Sequence, residues 1–90
     1  MIELALAKSY KRAFKKLTKK NSLLKKAIKE RVEIFIENPF DSRLDTHKLK
    51  GKLKELWSFS IDYDIRIVFR FLENQNKVIF EDIGGHGEVY

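Results

Sequence analysis

The chain has 90 residues and no cysteine, with 19 Lys and Arg against 13 Asp and Glu, for a net charge of +6. That length allows one domain with a modest core, so residues 1–90 are expected to fold as a single unit. The missing thiols exclude a disulfide framework and a thiolate zinc centre, and two histidines without clustered carboxylates argue against a metal or other cofactor site. No apolar run approaches the ~20 residues of a membrane span, and MIELALAKSY alternates instead of forming a leader-type block. A soluble, intracellular, cytoplasmic protein is expected.

The charge is uneven. Met1 to Lys54 holds 16 basic and 6 acidic residues, a balance of +10, whereas Glu55 to Tyr90 holds 3 and 7, a balance of −4. A basic half of this density favours a polyanionic partner, because neutralising phosphates releases counterions.

In chain order, the alternation of Ile2, Leu4 and Leu6 with Glu3 and Ala5 predicts a first strand. Ser9 is the expected N-cap of a basic amphipathic helix with Tyr10, Ala13, Phe14 and Leu17 on its apolar side. Its other faces carry Lys11, Arg12, Lys15, Lys16, Lys19 and Lys20, more like charge than a merely solvated face needs. Asn21-Ser22 interrupts the pattern and caps a second helix, whose stripe of Leu24, Ala27, Ile28, Val32, Phe35 and Ile36 ends at Asn38-Pro39. The two helices form a hairpin packed on a sheet.

From Pro39 to Glu55 the chain reads as a polar loop leading into His47 and four alternating lysines, Lys48, Lys50, Lys52 and Lys54. Leu49, Gly51 and Leu53 lie between them, so one side can anchor while the other offers ammonium groups to phosphates. Three strands follow, 56–61, 65–72 and 78–83, as an antiparallel meander with a turn at Asp62-Tyr63-Asp64 and another at Glu73-Asn74-Gln75-Asn76. Trp57, Phe59 and Ile61 share one face, which makes Trp57 a core residue; Ile65, Ile67, Phe69 and Phe71 share another, opposite Arg66 and Arg70. The expected class is therefore α+β, a small antiparallel sheet with an N-terminal strand and a helical hairpin on one face.

The segments His47-Lys-Leu-Lys-Gly51, Leu56-Trp57-Ser58-Phe59-Ser60-Ile61, Asp64-Ile65-Arg66-Ile67-Val68-Phe69 and Ile83-Gly84-Gly85-His86-Gly87-Glu88-Val89-Tyr90 together resemble the RelE/ParE superfamily of type II toxin-antitoxin toxins. The RelE/YafQ/YoeB-like mRNA interferases match best, over nearly the whole chain. The resemblance implies a microbial-RNase-like fold that cuts message in the ribosomal A site, beside 16S rRNA, and is held inactive by a cognate antitoxin. It implies His47 as general base, Arg66 as stabiliser of the transferring phosphate, His86 as general acid and Tyr90 as the aromatic that orients a nucleotide. Lys48, Lys50, Lys52, Lys54, Asp64 and Arg70 are candidate substrate contacts. Ser60 replaces an additional histidine, and Ile65 replaces a tryptophan, found in some members.

Those residue types suit RNA cleavage without a metal. A base takes the 2′-hydroxyl proton, an acid protonates the leaving 5′-oxygen, and a cation balances charge on phosphorus. Histidine titrates near ~6.5 and serves either proton task, while arginine offers a fork matched to phosphate oxygens. Each residue also has an ordinary alternative. His47 and His86 suit an exposed loop and a chain end, the glycines around His86 suit a strand end, Tyr90 suits terminal packing, and Arg66 suits an ion pair with Asp62 or Asp64. The competing function is a non-catalytic toxin, either ParE-like and aimed at gyrase or a degenerate member that only binds its antitoxin.

Overall fold

The computed structural model describes residues 2–50, 55–72, 74, 76–85 and 89. Strand β1 (Glu3–Leu6) leads into α1 (Lys8–Thr18) and α2 (Ser22–Glu37). A 3₁₀ turn (Ser42–Leu44) and a two-residue strand β2 (His47–Lys48) come next, followed by β3 (Trp57–Ser60), β4 (Ile65–Leu72) and β5 (Lys77–Gly85). The sheet order is β1-β5-β4-β3-β2. All pairings are antiparallel except β1 with β5, which runs parallel because the helical hairpin carries the chain back before the meander begins.

Local chemistry sets the helix ends. Asn21 accepts from the Leu24 amide and starts α2, and the Asn38 amide closes it on the Ile34 carbonyl ahead of Pro39. Helix α1 departs from expectation. Ala7 precedes its first turn, and Ser9, inside the helix, donates from Oγ to the Glu81 carbonyl at 2.6 Å. The hydroxyl thus docks α1 on β5 instead of capping it.

Glu81 is the residue left over by a β-bulge, since Val68 pairs with Asp82 and Phe69 with Phe80. The core lies between the helices and one sheet face. There the Phe35 ring stacks on Phe59 at 4.5 Å and meets the edges of Phe69 and Phe80 at 4.9 and 5.5 Å. Tyr10 sets its ring against Phe80 and pins α1, and burial pushes its phenol up to about 12. Trp57 joins the aromatic layer through Phe40, Phe69 and Phe71, as its alternation predicts.

Candidate functional site

The opposite sheet face carries the candidate site. Paired residues share a face, so the register places His47, Ser58, Val68 and Asp82 in one row. Ser60, Arg66 and Gly84 form the next. His47 and Arg66 are therefore two strands and two positions apart, about 12 Å between Cα atoms by ordinary strand spacings. Long side chains can converge across that gap. Across the ladder Arg66 is flanked by Ser60 and Gly84.

Asp45 links the two. It follows the 3₁₀ turn in the left-handed region (φ 50°), where aspartate is tolerated better than most residues. Its carbonyl lies 3.0 Å from His47 Nδ1 and its Oδ2 lies 3.7 Å from Arg66 Nη1. A carbonyl can only accept, so His47 Nδ1–H is the donor, which leaves Nε2 as the ring nitrogen available to a substrate. Arg66 Nη1 is buried and makes no hydrogen bond among the described residues, with the Asp45 carboxylate at 3.7 Å as its ionic partner.

The segment before Asp45 is firmly tied. Asp41 accepts from the Arg43 amide, Nε and Nη2, and these bonds hold its carboxyl down at about 2 while pushing the Arg43 guanidinium above its ordinary value. Arg31 donates to the Arg43 carbonyl, Thr46 to the Pro39 carbonyl and Ser60 to the Leu44 carbonyl. The expected loop is thus a hydrogen-bonded shelf ending in β2. Ser60 anchors that shelf from β3.

The remaining candidates separate. Lys48 and Lys50 are exposed around buried Leu49, as the alternation predicts, but Lys48 pairs with Trp57 and so lies on the sheet face away from His47. Arg70 shares the face of Arg66 but is ion-paired with Glu81. Asp64 lines a groove with Asn21, Leu24 and Ala27 at the helical end, and Arg66 pairs with Asp45 instead of Asp62 or Asp64. His86, Tyr90, Lys52 and Lys54 lie outside the described residues. The residue that sequence reading missed is Asp45. Its one signal is an aspartate after the apolar Leu44 anchor, two positions before the histidine.

The family model described as the bacterial toxin of type II toxin-antitoxin system, YafQ, matches residues 2–90. The chain belongs to this YafQ toxin family. A toxin named RelE4 from Methanocaldococcus jannaschii is 29% identical over 90 residues, spanning 100% of this chain and 92% of that protein. A copper-bound mutant toxin from Helicobacter pylori superposes with a TM-score of 0.79 at 28% identity, covering 100% of both chains. YafQ in the E. coli DinJ-YafQ toxin-antitoxin complex shares the fold, with a TM-score of 0.77 at 19% identity over 99% of this chain and 97% of that one. Membership of the YafQ family makes this protein the toxin component of a type II system. Among the described residues no three His, Cys, Asp or Glu side chains gather as a metal site, and no helix is long and apolar enough to cross a membrane.

Proposed function

We propose that this YafQ-family toxin is a ribosome-dependent endoribonuclease that cuts mRNA in the A site by acid/base catalysis. The observation that supports this reading is that Asp45 ties His47 and Arg66 together on one sheet face, its carbonyl at the imidazole Nδ1 and its carboxylate beside the guanidinium. His47 takes the 2′-hydroxyl proton as that oxygen attacks phosphorus, and Arg66 balances the charge that develops on the equatorial oxygens. His86, which follows β5 directly in sequence, protonates the leaving 5′-oxygen, and Tyr90 stacks on a nucleotide. The products are a 2′,3′-cyclic phosphate and a 5′-hydroxyl end. No bond in this sequence requires a metal ion.

A cognate antitoxin neutralises the toxin. The complex of E. coli YafQ with DinJ supports such a partner, as does a surface of net charge +6 that suits an acidic segment. Mapping message ends on translating ribosomes tests the reading. Wild-type protein gives codon-phased cuts with 5′-hydroxyl ends, while Arg66→Ala and His86→Ala give folded proteins without cuts. Undiminished cutting by both variants, or DNA damage in place of message cleavage, would remove the mechanism.

A further inference from the structure

We propose that Tyr63 is a base-stacking platform of the candidate site, an aromatic contact additional to Tyr90 that holds the nucleotide whose phosphate lies at Arg66. The inference rests on the endoribonuclease reading and adds a substrate contact to the same site. Tyr63 stands in the turn between β3 and β4, and its side chain is wholly exposed. Every other aromatic among the described residues packs on at least one further ring, including half-exposed Phe40, which meets Trp57 and Phe71. Tyr63 packs on none of them.

The turn itself needs no aromatic. The Asp62 carboxylate accepts from the amides of Asp64 and Ile65, both at 2.9 Å, and the Ile61 amide closes the hairpin on the Ile65 carbonyl at 2.8 Å. A glycine or a short polar residue at position 63 would serve the fold as well, because the ring has nothing to pack against. The same bonds fix the backbone on either side of the ring. Tyr63 is thus offered to a ligand on a tip that is already ordered, which lowers the entropy cost of binding.

Position and charge say what that ligand is. Asp62 and Asp64 both line the groove against Asn21, Leu24 and Ala27, whereas Tyr63 between them does not. Three residues separate Tyr63 from Arg66, at most about 11 Å between Cα atoms. One nucleotide spans such a gap from phosphate to base. The guanidinium draws the phosphate, while the two carboxylates repel it from the tip and leave that place to the uncharged base. Stacking suits the tip because every base has a π-face, so no hydrogen-bond code is needed. A protein partner is served less well, since interface tyrosines anchor in closed pockets and no wall surrounds this ring among the described residues.

The test uses the full chain and a short single-stranded 2′-O-methyl RNA carrying 2-aminopurine, which has no 2′-hydroxyl to act as nucleophile and whose fluorescence falls on stacking. Tyr63→Ala is expected to weaken binding about five- to a hundredfold and to lose the fluorescence change. Tyr63→Phe should keep both, and Tyr63→Leu, apolar but without a π-face, should behave as Tyr63→Ala does. The slope of log affinity against log salt should stay unchanged in all three, while Arg66→Ala lowers it by about 1. Equal urea midpoints confirm that the exposed ring leaves folding alone. Message-end mapping on the same variants separates the two readings. Undiminished probe binding in Tyr63→Ala or Tyr63→Leu, with wild-type protein cutting message, would overturn the stacking contact and leave the nuclease reading standing. Probe binding that depends on Tyr63, with no message cutting, would keep the contact and remove that reading. Weakened antitoxin binding by Tyr63→Ala at unchanged probe affinity would assign the ring to a protein and overturn the proposal as well.

Discussion

Asp45 Oδ2 stands 3.7 Å from Arg66 Nη1, and the same residue's carbonyl lies 3.0 Å from His47 Nδ1. One residue thereby fixes the imidazole tautomer through its backbone and steadies the guanidinium through its side chain. The two roles separate by mutation. Asp45→Asn keeps the left-handed backbone and the carbonyl, so stability should change by about 1 kcal/mol, in line with a 3.7 Å ion pair whose carboxylate is exposed. Asp45→Ala should lose about 1 to 2 kcal/mol, because a Cβ without a local polar partner disfavours that conformation. Urea unfolding compares the stabilities. Single-turnover cleavage should be largely kept in Asp45→Asn, since the bond to His47 comes from the main chain.

Arg66→Lys separates charge from shape. The lysine keeps the positive charge but loses the planar fork, so cleavage should fall about 10²- to 10³-fold, as when one oxyanion donor is removed. Folding should scarcely suffer, because Nη1 has no hydrogen bond to lose. Single-turnover cleavage alongside urea midpoints checks both halves. A large stability loss with normal cleavage would make Arg66 a structural residue.

How much of this was legible before the fold was known follows from range. Alternation from Ile65 to Leu72 gives β4 to its last residue, and Asn21 and Asn38-Pro39 mark both ends of α2, because these signals act within a few residues. Two-residue β2 is too short to show a period, so His47 reads as a loop residue. The parallel pairing of β1 with β5 joins Glu3 to Lys77, and no local pattern records it. Ser9 looks like a cap until the Glu81 bulge presents a carbonyl to it. Asp45 escapes for the same reason: its meaning lies in a backbone angle and in a partner 21 positions away.

The core offers a test of folding alone. Phe35 is fully buried and touches the rings of Phe59, Phe69 and Phe80, so Phe35→Ala should cost about 3 to 5 kcal/mol, a large share of a small domain's stability. Phe40 is half exposed at the rim of the Trp57 cluster, and Phe40→Ala should cost clearly less. Urea unfolding of the two variants checks the order. A reversal would place the main core at the rim, contrary to the packing of α2 on the sheet.

The shelf that carries Asp45 should respond to acid through Asp41. Its carboxyl is held at about 2 against an ordinary 3.8, chiefly by hydrogen bonds from Arg43. A carboxyl depressed on folding stabilises the folded state above its unfolded value, and that contribution fades as pH falls from about 4 through about 2. Asp41→Asn keeps an acceptor for the Arg43 amide but has no charge to titrate. The fall in urea midpoint between pH 5 and pH 2 should therefore be smaller in Asp41→Asn than in wild type, and the variant should be the less stable of the two at pH 5. Parallel acid sensitivity in both proteins would show that the Asp41–Arg43 contact does not hold the shelf, and that Asp45 is positioned by the bonds from Arg31 and Ser60 instead.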